Sequence, residues 1–235
     1  TLSQITFRVD ATLHVEDCTV DAAYNVVYDS HNTQNFKSVY FGNSIVKMTV
    51  ANKPFYSTKA KDAHTQQLIR LDNNVFYAET PLQNYLINCG DRSQAFQTTR
   101  LQVEVTNNTI YNIYQPNIMI RAYVLAGLTV TKNVGYYTGV TAKSYLTGVY
   151  DTAGFTADKA EVTYNYLYTA PVSDTNFWSA KHTGSYTPAN NQMGDGVEAP
   201  FSSMDAAKGY FPVDASVVKT GAGATYDTKA WFKAE

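Results

Sequence analysis

Charge is scarce in this chain. Asp, Glu, Lys and Arg make up 16% of its 235 residues, where about 25% is ordinary for soluble domains. The 18 basic residues stand against 20 acidic ones, for a net charge of −2. No basic footprint exists to neutralise phosphates, so no nucleic-acid partner is expected. Long apolar runs are lacking too: none approaches the ~18 residues of a membrane-spanning helix, and no membrane span is expected. Cysteine is limited to Cys18 and Cys89, and the four histidines, His14, His31, His64 and His182, are scattered. No CysXxxXxxCys or closely spaced histidine pair suggests a zinc site. Neither a GlyXxxSerXxxGly elbow nor a phosphate-cradling glycine loop occurs. No reaction is named by any of this, so a non-enzymatic role is expected, to be read from architecture and surface.

What replaces charge is 28 Thr, 18 Asn and 19 Tyr. Thr and Tyr favour strands, and Asn favours turns and tolerates left-handed backbone. The resulting surface is polar but nearly neutral, which suits close subunit contact outside the cell, at a cell surface or in a virion. The chain opens at Thr1 without a charged-then-apolar leader; removal of a signal peptide or trimming of a Met would each account for that.

Strand patterning starts at once. Ile5, Phe7, Val9, Ala11, Leu13 and Val15 occupy odd positions, while Thr6, Arg8, Asp10, Thr12 and His14 occupy even ones. This period of two predicts one long strand with an apolar face. Val20, Ala22, Tyr24, Val26 and Tyr28 predict a second strand, joined to the first as a hairpin. AspAsnAsn at 72–74 and AsnAsn at 107–108, each between apolar segments, also read as hairpin turns. Residues 117–131, apolar on both faces, read as one central strand. A helix is expected over Ser57–Gln67 and a short one over Ser202–Lys208, ended by Gly209. No internal repeat of fixed period is visible. The whole predicts an all-β fold, a β-sandwich or jelly roll of roughly ten strands over residues 1–170. Residues 171–235 read as an irregular extension packed on that domain or on a neighbouring subunit.

Several side chains are candidates for function. Cys18 and Cys89 could form one disulfide in an oxidising compartment. Calcium would need several oxygens on flexible backbone, and two groups offer them: Glu16, Asp17 and Asp21, then Asn190, Asn191, Asp195 and Glu198. Otherwise no cofactor is expected. Asn107 heads a formal glycosylation sequon. Tyr164, Tyr166 and Tyr168 alternate as if on one face and read first as core and cross-strand ladder residues; with Trp178 and Trp231 they also suit a subunit interface, and with loop-tip Asn and Asp a platform for sugar rings. The strand over 5–15 resembles the donor strands of surface pilins, which complete a neighbour's sheet by β-augmentation. The leading expectation is therefore a structural subunit, a homo-oligomer or polymer building an extracellular filament, sheath or virion shell. The alternative is a carbohydrate-binding or adhesin module. A β-sandwich hydrolase would need facing carboxylates, for which Asp10, Glu104 and Glu161 are the strand-borne candidates.

Overall fold

The computed structural model describes residues 5–6, 11–22, 26–29, 38–58, 67–89, 101–115, 118–122, 126–137, 145–149, 160–169, 176–178, 186–194 and 198–233. Their strands are parallel and wind as a β-solenoid, not as a β-sandwich or jelly roll. Sheet 1 comprises β1 (Ile5–Thr6), β4 (Val27–Asp29), β7 (Tyr56–Thr58), β10 (Ile87–Cys89), β13 (Ile118–Ala122), β16 (Tyr145–Val149) and β19 (Asn176–Trp178). Sheet 2 comprises β2 (Thr12–Glu16), β5 (Ser38–Gly42), β8 (Gln67–Asp72), β11 (Leu101–Thr106), β14 (Gly127–Thr131) and β17 (Ala160–Thr163). Sheet 3 comprises β3 (Thr19–Ala22), β6 (Ile45–Met48), β9 (Val75–Gln83), β12 (Thr109–Tyr114), β15 (Val134–Tyr137), β18 (Tyr166–Thr169) and β20 (Gln192–Met193). From β1 to β16 each strand pairs with the one three places on, so one circuit of the chain makes one coil, and coils stack at the strand spacing of ~4.8 Å.

The corner from sheet 2 into sheet 3 explains the winding. It is two residues long. The first adopts left-handed backbone: Asp17, Asn43, Asn73, Asn107, Lys132, Tyr164 and Asn190 all have φ between 48° and 58°. The second points inward, at Cys18, Ser44, Asn74, Asn108, Asn133, Asn165 and Asn191. The backbone N–H of Ser44 donates to Asn74 Oδ1 (3.0 Å), Asn74 to Asn108 (2.9 Å), Asn108 to Asn133 (3.0 Å), Asn133 to Asn165 (2.9 Å) and Asn165 to Asn191 (2.8 Å). Each Nδ2 also donates to a carbonyl near the end of a sheet-2 strand, as from Asn133 to Val105 O and Thr131 O. Asn74, Asn108, Asn133 and Asn165 are fully buried, and the ladder is what lets them be.

Inside the coils the pleat delivers apolar columns. In sheet 2, Leu13, Val39, Ile69, Val103 and Leu128 stack in register, beside Val15, Phe41, Leu71, Val105, Val130 and Val162. In sheet 3 the inward column runs Val20, Val46, Phe76, Ile110, Gly135 and Leu167. Gly135 is needed there: a Cβ would lie 2.6 Å from Leu167 Cδ2 and 2.8 Å from the buried Tyr137 hydroxyl. The outer face of sheet 3 is also buried. Tyr77, Tyr111, Tyr136 and Tyr168 line it, and residues 198–233 run back across them as turns and irregular chain. Phe211 stacks on Tyr111 with centroids 4.0 Å apart, and Phe201 meets Tyr136 edge-on at 5.5 Å.

Four expectations are corrected by this architecture, and a fifth, the helix over 57–67, falls mainly outside the described residues. The segment 5–15 is not one strand; it contributes β1 and the start of β2, in different sheets, and Phe7 and Val9 lie outside the described residues. Residues 73–74 and 107–108 are solenoid corners, not hairpin turns. Residues 117–131 split into β13 and β14. Ser57–Thr58 end β7 and Gln67 opens β8, with 59–66 outside the described residues. Over Ser202–Lys208 there is a turn held by Asp205, whose carboxylate accepts from Ala207 N (3.1 Å) and Lys208 N (3.2 Å), and Gly209 follows at φ +68°. Nor is the absence of a fixed repeat the absence of a repeat: successive ladder positions stand 25 to 34 residues apart. Among the described residues no helix is long and apolar enough to cross a membrane.

Asn133→Ala removes the acceptor for both the backbone N–H and the Nδ2 of Asn108 and vacates two carbonyls. It should destabilise the chain by about 2–4 kcal/mol in denaturant unfolding. Gly135→Ala should cost about 1–3 kcal/mol in the same assay, because the added methyl has nowhere to go.

Candidate functional site

The two ends of the stack are built differently. At the first coil, β2 is the edge of sheet 2 and β3 the edge of sheet 3, and among the described residues neither has a strand on its outer side. Leu13 and Val15 continue the apolar columns of Val39 and Phe41, yet both are only half-buried. Cys18 heads the ladder column and is half-buried as well; its N–H donates to Ser44 Oγ (3.2 Å) and its free thiol to Glu16 O (3.1 Å). The outward residues of β2 are Thr12, His14 and Glu16, all exposed, with His14 Nε2 3.3 Å from Glu16 Oε2. This edge has no lysine, proline or bulge, the devices that ordinarily blunt an edge strand.

At the last coil the columns are covered except at Ala160, which is half-buried. Val162 and Leu167 are fully buried, and Phe177 and Trp178 nearly so. Tyr186 packs on Trp178 with centroids 4.8 Å apart, and its hydroxyl accepts the N–H of Val162 at 2.8 Å. Thr163 bridges Ala189, and Gln192 is tied to Val217 O and Lys219 N. The edge strand β17 has therefore spent a donor that an added strand would use.

The C-terminal segment also fastens the open end. Thr228 Oγ1 lies 3.0 Å from Asn43 Oδ1 and 2.6 Å from Asn73 Nδ2; its carbonyl accepts from Asn43 Nδ2 at 2.8 Å, and the same amide donates to Asp17. Thr225 N donates to Asn73 Oδ1 (2.8 Å). Beneath them Lys229 is fully buried, its Nζ donating to Asn73 O (2.7 Å) and Thr225 O (2.9 Å). Burial is the main influence on this ammonium and pushes its pKa down to about 8, while Asp72 and Asp17 pull the other way.

The candidate residues fall as follows. Ile5 and Ala11 flank residues outside the described set; Leu13 and Val15 form the open edge. Cys89 lies in β10 of sheet 1, paired between Thr58 and Ala122, and is not joined to Cys18, whose thiol is free. Glu16, Asp17 and Asp21 diverge, onto the sheet-2 face, the corner, and the outer face of sheet 3 beside Lys47. Asn190 is a corner residue, Asn191 ends the ladder, Glu198 is exposed, and Asp195 lies outside the described residues. Among the described residues no three His, Cys, Asp or Glu side chains converge as metal ligands. Tyr164, Tyr166 and Tyr168 do not share a face: Tyr164 is an exposed corner, while the other two are buried on sheet 3. Trp178 belongs to β19 and is buried; Trp231 is 37% exposed. Glu104 and Glu161 share one outward column of sheet 2 with Thr129 between them, and Asp10 lies outside the described residues. Lys229 was not singled out by its sequence context, where one lysine in an irregular tail carries no pattern. No family model, curated protein or solved structure matches this chain.

Lys229 gives a pH test. Its folded pKa lies below the ordinary 10.5, so between about 8 and 10.5 the unfolded chain holds the extra proton. This group therefore makes stability rise with pH across that window, by on the order of 3 kcal/mol. Lys229→Met should remove that part of the rise, measured as the difference between the two proteins' unfolding free energies at each pH.

Proposed function

We propose that this chain is a non-catalytic structural subunit that associates with copies of itself in an extracellular, cell-surface or virion assembly. The observation that carries this reading is the first coil: two apolar columns of sheet 2 end on half-buried Leu13 and Val15, in an edge strand that has no partner on its outer side among the described residues. Such an edge templates further strand pairing and gains apolar burial when paired. The sparse charge supports the same reading, since self-association meets little like-charge repulsion.

A second reading has one observation in its favour. On the outer face of sheet 2, bare among the described residues, the Tyr40 ring lies over Gly42, where any Cβ would collide with it. His14 (centroids 4.5 Å apart) and the Arg70 guanidinium (5.8 Å from the ring centroid) flank that ring. A low aromatic surface rimmed by polar groups suits stacking against a sugar ring, which is the adhesin alternative.

Light scattering and negative-stain imaging of the purified chain should show concentration-dependent, regular association. A solitary ~26 kDa particle at high concentration, across salts and divalent ions, would overturn the structural reading. Glycan-array binding lost in Tyr40→Ala would then favour the adhesin.

A further inference from the structure

We infer that the primary contact between copies is isologous: β2 pairs antiparallel with β2 of a second copy, first coil against first coil. This deepens the assembly reading and rests on it. An open polymer built head to tail needs two complementary ends, whereas a two-fold contact needs one end that fits itself. The chain has one such end. At the last coil, β17 has given the Val162 N–H to Tyr186, Thr163 is bridged to Ala189, and Val162 and Leu167 are fully buried. At the first coil Leu13 and Val15 are half-buried, and among the described residues no strand lies on the outer side of this edge.

The residues of β2 suit a two-fold axis. Antiparallel pairing centred on His14 sets Thr12 opposite Glu16 of the second copy and Leu13 opposite its Val15. Residues directly opposite in an antiparallel pair share a face. The inward side then joins Leu13 and Val15 of both copies into one continuation of the columns, closing over Val39 and Phe41. The outward side carries Thr12, His14 and Glu16, so no like-charged carboxylates face each other. Of the outward three, His14 alone meets its own copy.

Sedimentation of the whole chain should show a limiting dimer. The register is read by oxidative cross-linking in a Cys18→Ser, Cys89→Ser background. His14 is well exposed (61% of its side chain), so His14→Cys leaves the core alone. It should give a covalent dimer, and Thr12→Cys mixed with Glu16→Cys should give a mixed one, while either of those alone gives little. Val15→Lys should weaken dimerisation by about a hundredfold or more with an unchanged circular dichroism spectrum, because it buries an unpaired charge. Larger assemblies with no His14→Cys cross-link would overturn the two-fold contact and leave the assembly reading standing. A monomer would overturn both, and would give the edge to a further coil of the same polypeptide.

Discussion

Every coil enters sheet 3 through one left-handed residue and one inward side chain, and in most coils that side chain is an asparagine amide. Its oxygen accepts the corner N–H of the coil before, and its nitrogen closes a carbonyl left over at the end of a sheet-2 strand. A corner inside a stack would otherwise leave backbone groups without water or partner, at a cost of about 1–3 kcal/mol each. The ladder thus does two jobs with one residue type: it satisfies the bend and it fixes which coil sits on which. The parallel register of all three sheets follows from that column, since a slip of one coil residue would separate every amide from its acceptor.

The period-two alternation of the strands was legible, and so was the turn chemistry at Asn73–Asn74 and Asn107–Asn108. The direction the chain takes afterwards was not. A two-residue AsnAsn turn serves a hairpin when both residues face water; here the second one of each pair is fully buried. Local sequence gives no sign of that burial, because it depends on an amide one coil away. The repeat escaped for a related reason: its only constant part is the corner, while residues 30–37, 59–66, 90–100, 123–126 and 150–159, which join sheet 1 to sheet 2, differ in length. Pattern reading likewise put Tyr164 with Tyr166 and Tyr168, since alternation cannot show that Tyr164 takes φ +57° and ends a strand. For the candidate edge, the apolar side of Leu13 and Val15 was readable, but its lack of cover was not, being a property of the stack.

The faces of the stack are treated unequally. Beyond Asp21 and Lys47 the outer face of sheet 3 is lined by Tyr77, Tyr111, Tyr136 and Tyr168, and residues 198–233 bury it under Phe201 and Phe211. Sheet 2 stays bare and carries polar columns, with Arg70 loosely paired to Glu104 (3.6 Å) and Asp72 (3.8 Å). Exposed pairs of that kind contribute little to stability. The chain's aromatic content is thereby spent on holding its own C-terminal segment in place, a use that composition could not distinguish from an external interface.

That segment has a consequence for biosynthesis. Thr225, Thr228 and Lys229 grip the corners at Asn43 and Asn73, up to 185 residues away along the chain. Coils can stack as they leave the ribosome, but the early ones stay unfastened until residues 225–229 have been translated. These coils are therefore clamped only after the later ones have been made, and a nascent chain stalled before that point would display them loose to its neighbours.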